Sequence, residues 1–142
     1  MLNDSIKVKG ALSISKNGVV VQEVRNLVVN VGKTLIAARL SGSGSVLSHM
    51  AVGIGSTAAA VVDTALGAEM DRNALTVSGG SAAGATVTYT TTWAAGDGTG
   101  AIKEAGLFTA ASGGTMLART VFPVVNKGAD DVITITWEVT IL

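Results

Sequence analysis

Cysteine is absent from the sequence, which excludes a disulfide framework and any thiolate metal site. Histidine occurs once. A zinc site needs further ligands beside His49, and a catalytic triad needs a placed nucleophile and acid; only Ser48 adjoins it, without a serine elbow. Charge is scarce. Ten basic and ten acidic residues make up 14% of the 142 residues and cancel to zero net charge, where an ordinary globular domain carries about 25% charged residues. Neither sign forms a block, so the clustered Lys and Arg that displace counterions from nucleic acid are missing, and no nucleic-acid partner is expected. No apolar run reaches the ~18 residues of a membrane span. Met1-Leu2-Asn3-Asp4 lacks the basic and long apolar regions of a signal peptide. Aromatics are 4% of the chain, so the core must be built from Val, Ile, Leu and Ala.

What the chain has is apolar content, threonine and glycine. Apolar residues make up 48% of it and the mean hydropathy is +0.51. Uncharged apolar surface in such excess is expected to lie against other protein. Two stretches alternate almost without error. In Ala85–Trp93 the odd positions are Ala85, Val87, Tyr89, Thr91 and Trp93, and every even position is Thr. In Val132–Ile141 the odd positions Ile133, Ile135, Trp137, Val139 and Ile141 face Thr134, Thr136, Glu138 and Thr140. A period of two with β-branched residues on both faces is a strong strand signal. Threonine there stiffens χ1 and packs laterally on the pleat; it supplies no chemistry.

The rest of the chain is read by the same rule. Strands are expected at about 5–16 and 19–29 around the hairpin signal Asn17-Gly18, and this N-terminal hairpin (1–29) is a candidate arm contacting a neighbour. Its second strand carries valines on both parities, which predicts cover on both sides, by its own core and by a partner. A short helix is expected near 31–40, capped by Asn30 and stopped near Gly42. Further strands are expected at 47–54, 75–77, 102–109 and 116–121, the last limited by Pro123. Residues 55–70 read as an extended loop with a helical turn. The sum is a single all-β domain over 1–142, an antiparallel β-sandwich or jelly roll of about eight strands with one short helix.

Candidate sites are few. Gly32-Lys33-Thr34 resembles the end of a phosphate-binding loop, but Leu27 stands where the first glycine is required, so a helix start is expected. Gly53-Ile54-Gly55-Ser56-Thr57-Ala58 fits a loose dinucleotide fingerprint without the alternating β and α units that would support it. Asp63, Glu69 and Asp71, and the pair Asp130-Asp131, fall in turns, where aspartate also bonds its own backbone. Trp93, Trp137 and Tyr89 sit on core parity, which weakens a sugar-stacking site. Glu104 lies in an apolar stretch and needs a partner if buried, with Arg72 or Arg119 the candidates. These three are expected to form a polar cluster, and Leu47, His49 and Met50 to lie near an interface. No catalytic set, cofactor site or metal site is expected.

Three segments resemble a known group. They are Met50-Ala51-Val52-Gly53-Ile54-Gly55-Ser56-Thr57 with Asp63-Thr64-Ala65-Leu66-Gly67-Ala68-Glu69, then Lys103-Glu104-Ala105-Gly106-Leu107-Phe108, then Gly113-Gly114-Thr115-Met116-Leu117-Ala118-Arg119-Thr120 leading to Val125-Asn126-Lys127-Gly128. Together they resemble small structural proteins of tailed-bacteriophage virions, over about residues 48–142. One departure is the alanine run at Ala58–Ala60, where related sequences often carry proline near Ala59. The resemblance implies a virion component, either a capsid decoration (cement) protein on the outer shell or a tail-fibre, collar or baseplate part. Its implied partners are the major capsid protein and copies of itself, as a dimer or trimer.

Overall fold

Alternation makes a strand stable only when its apolar half has something to pack on, and here each sheet supplies the other's partner. In the computed structural model, which describes residues 5–142, the chain forms β1 (Val8–Lys16), β2 (Val19–Arg25), β3 (Leu27–Val28), α1 (Asn30–Leu40), β4 (His49–Gly53), β5 (Glu69–Ala74), β6 (Ser81–Ala83), β7 (Thr86–Trp93), β8 (Gly100–Phe108), β9 (Met116–Lys127) and β10 (Ile133–Ile141). Two five-stranded antiparallel sheets pack as a sandwich, in the orders β2-β1-β10-β7-β6 and β3-β9-β8-β4-β5. The expected all-β architecture with one short helix is present, with ten strands in place of about eight.

The first sheet follows the alternation. β10 pairs with β1 from Ile141↔Val8 to Ile133↔Lys16 and with β7 from Ile133↔Trp93 to Thr140↔Thr86. Leu12, Ile14, Tyr89, Trp93, Ile133, Ile135, Trp137 and Val139 point inward and are buried. On the outer face the threonines meet across strands: the Thr86 and Thr140 hydroxyls lie 2.9 Å apart and those of Thr92 and Thr134 3.1 Å apart. Asn17 and Gly18 turn the first hairpin with φ of 52° and 83°, the left-handed pair that a two-residue turn requires. Through β1 this hairpin is part of the chain's own sheet.

Five local expectations change. The strand expected over 19–29 is two strands in different sheets, β2 and β3. The chain crosses at Asn26, whose N–H donates to Gly10 O at 3.0 Å and whose Oδ1 accepts from Trp137 Nε1 at 2.8 Å. A bulge between the Ile14↔Gln22 and Ser15↔Val20 pairs leaves Val21 unopposed, which shifts the parity and explains valines on both faces. Val19, Val20 and Val21 are exposed in the isolated chain. The strand expected at Leu75–Val77 lies earlier, at the polar edge β5, and β6 was not expected at all. Pro123 does not end β9. It sits in an irregularity between the Ile102↔Val125 and Glu104↔Val121 pairs, where a missing N–H breaks no ladder. The helix cap is Val29, without a side-chain bond. Asn30 instead donates its N–H to Val61 O at 2.7 Å.

The main core lies between the sheets. A second apolar cluster, Val29, Ala51, Leu66, Phe108 and Met116, lies on the outer face of the second sheet. The loop from Ile54 to Ala68 covers that face around Glu104 and Arg119, so the middle of the second sheet is buried on both sides.

Candidate functional site

The covering loop packs Leu66 on the sheet and meets one buried carboxylate. Glu104 on β8 faces outward from the second sheet and is nevertheless 0% exposed. Its Oε2 accepts N–H bonds from Gly55 at 2.7 Å and Ala68 at 2.8 Å, and its Oε1 accepts one from Gly67 at 2.7 Å. Arg119 on β9, 2% exposed, adds Nε and Nη2 to Oε1 at 3.1 and 3.0 Å. The rest of that guanidinium reaches the loop: Nη1 to Asp63 Oδ2 at 2.9 Å and Nη2 to Thr57 O at 2.8 Å. Glycine at 53, 55 and 67 keeps the loop backbone close enough, since a Cβ at Gly55 would collide with the Glu104 carboxylate. Burial pushes the Glu104 carboxyl up. The N–H groups of Ala68, Gly67 and Gly55 with the Arg119 guanidinium outweigh it and hold the pKa below the ordinary value.

Chemically this carboxylate is saturated. Its two oxygens offer about four lone-pair sites, and five donors occupy them, so it has no capacity to take a proton from a substrate. Glu104 and Arg119 form a latch that fixes the loop to the sheet. Of the three residues expected to cluster, the fold brings together these two. Arg72 stands apart on β5, where it pairs with Glu69, donates to Ala110 O and Gly113 O at 2.9 and 2.8 Å, and lies 3.8 Å over the Phe108 ring.

The other candidates resolve into structural contacts. Leu47 and Met50 are buried in this chain's own core, and Leu47 also lines a groove beside α1. His49 is half-buried, with Nδ1 at 2.8 Å from Ser48 Oγ. Gly32-Lys33-Thr34 is the first turn of α1, with Gly32 pressed on the Leu117 carbonyl. Asp63, Glu69 and Asp71, neighbours in sequence, go to Arg119, Arg72 and Asp97 respectively. Asp131 accepts from Asn17 and from Gly128 N–H, both at 2.8 Å, which draws its pKa down. Among the described residues no group of three or more metal-ligating side chains converges. Both Trp, both Phe and the Tyr are buried.

Two features went unforeseen. At one end, burial and the neighbouring Asp97 carboxylate push the Asp71 pKa up. Asn73 Nδ2 donates to Asp97 Oδ2 at 2.6 Å, while Asp71 Oδ2 and Trp93 Nε1 are buried without a hydrogen-bond partner. At the other end a mostly apolar groove of about 370 Å³ separates α1 from the ends of β7 and β10. Sequence periodicity could not find either, because both join segments that are far apart in the chain. Comparison with protein-family models, curated proteins and solved structures gave no match to this chain.

Proposed function

We propose that this chain is a structural protein of a tailed-bacteriophage virion, and specifically a capsid decoration protein that docks on the outer shell and bridges major capsid subunits. One observation carries the proposal. A charge-poor sandwich whose buried Glu104–Arg119 pair is spent on fixing a loop still leaves large aliphatic residues on its surface, with Leu40, Val46 and Ile141 grouped around one groove. Exposed apolar surface of this kind marks contact with other protein. The three segments that resemble phage virion proteins include the latch itself: Glu104, Arg119, Asp63 and the glycines that receive the loop all fall within them. Zero net charge suits an outer position away from packaged DNA.

A protein that binds only the assembled lattice stabilises it by linkage, in proportion to its free concentration over its dissociation constant. The test is the temperature at which particles release their DNA. Particles made without this protein are expected to release DNA at lower temperature, and adding the purified protein back restores the original value. An unchanged release temperature in both cases refutes the proposal. Particles that lack tails or fail to adsorb when the gene is removed would point to the tail-fibre or baseplate role.

A further inference from the structure

Helix α1 packs against β9 of the second sheet and leaves its opposite flank separated from the first. The resulting groove of about 370 Å³ has Leu35, Ile36 and Leu40 of the helix on one side and Val87, Val139 and Ile141 of the first sheet on the other. Its rim is apolar as well: Leu40 is 86% exposed, Ile141 43% and Val46 41%. An aliphatic cleft ringed by exposed aliphatic residues is a surface arranged to receive something apolar.

The charge around it has one sign. Arg39 is the charged residue that lines the groove. Its Nη1 donates to Gly44 O at 2.9 Å, and among the described residues it forms no ion pair. The lining segments 35–47, 79–89 and 139–141 contain no Asp or Glu. Lys9, opposite Thr140, belongs to the outer face of the first sheet, so Arg39 is the cation at the groove itself. The outer face of the first sheet differs, since its threonine hydroxyls pair with one another.

We infer that this end is the docking face and that its occupant is a segment of the major shell protein presenting a bulky aliphatic side chain beside a carboxylate. The aliphatic group fills the groove and the carboxylate meets Arg39, whose planar fork suits it. The inference rests on the capsid-shell proposal above and adds to it which surface makes the contact and what chemistry it meets.

The test is a cosedimentation titration of the purified protein with capsids assembled from the major shell protein, using Leu40→Glu, Arg39→Glu and, as a charge-reversal control on the outer face of the first sheet, Glu138→Lys. Leu40 is largely exposed, so its replacement leaves folding intact, and matching melting temperatures verify this. The expected result is binding by the unaltered protein and by Glu138→Lys, at least about tenfold weaker binding by each groove variant, and weaker binding at higher salt. If the unaltered protein does not bind shells, the shell proposal fails and this one with it. If it binds and both groove variants bind equally well, the shell proposal stands and this docking face is wrong. If the protein alone sediments as a dimer that Leu40→Glu dissociates, a second copy occupies the groove and the inference is likewise overturned.

Discussion

The two sheets of this sandwich solve the same problem in different ways. The first buries one face and leaves the other to water, lined by threonines whose hydroxyls meet at 2.9 and 3.1 Å. Its stability is spread over many cross-strand pairs, each worth about 0.2–1 kcal/mol. The middle of the second sheet is covered on both faces, and its outer cover is an irregular loop whose buried ionic anchor is one carboxylate and one guanidinium. A distributed face tolerates single changes. A cover centred on one buried ion pair does not, because removing Arg119 leaves Glu104 buried without a countercharge and removing Glu104 leaves Arg119 with Asp63 as its remaining carboxylate. Regular alternation therefore marks the robust half of the molecule, and a lone glutamate in an apolar stretch marks the vulnerable half.

Breaking the latch should have the largest effect. Glu104→Ala leaves Arg119 and three backbone N–H groups underserved, and is expected to cost about 3–5 kcal/mol in a denaturant titration. Gly55→Ala places a methyl against the Glu104 carboxylate and should cost about 1–3 kcal/mol. Replacing one threonine of the outer face, Thr92→Ala, should cost no more than about 1 kcal/mol by the same method. If Thr92→Ala proved as damaging as Glu104→Ala, the contrast between the two sheets would not hold.

Two carboxyls sharpen the contrast through pH. The Glu104 pKa is lowered, so its contribution is full above the ordinary value of 4.5 and is lost as pH falls through the lower folded value. Thermal melts should show acid destabilisation below that point, and Glu104→Gln should flatten it while lowering the plateau. The Asp71 pKa is raised above 3.8. Its favourable, protonated form holds at low pH and is lost as pH rises through the folded value. Asp71→Asn should therefore raise the melting temperature at pH 7 and leave it nearly unchanged at pH 3. A lower melting temperature at pH 7 would show that the charged form is the stabilising one.

How much of this is legible in sequence depends on whether a strand's periodicity is apolar. β7 and β10 are read within about a residue, because water lies on one side and core on the other. β5 is missed since Glu69, Asp71, Arg72 and Asn73 are polar on both parities. Their side chains serve an ion pair, a ring contact and a neighbouring carboxylate, none of which has a period. β6 is three residues long and has no pattern to find. β9 looks shorter than it is, because a proline at a bulge resembles a proline at an end. The need of Glu104 for a partner follows from burial alone. The choice of Arg119 over Arg72, and the part played by Gly55, Gly67 and Ala68, depend on where a loop without periodicity settles.

Imaging intact virions at a resolution that separates sheets from helices locates the protein and its docking end. A decoration protein of this build gives a two-sheet density on the outer capsid surface, with the end carrying α1 and its groove against the shell and the threonine face turned to solvent. The same density at the tail, or a shell without it, would overturn the capsid proposal.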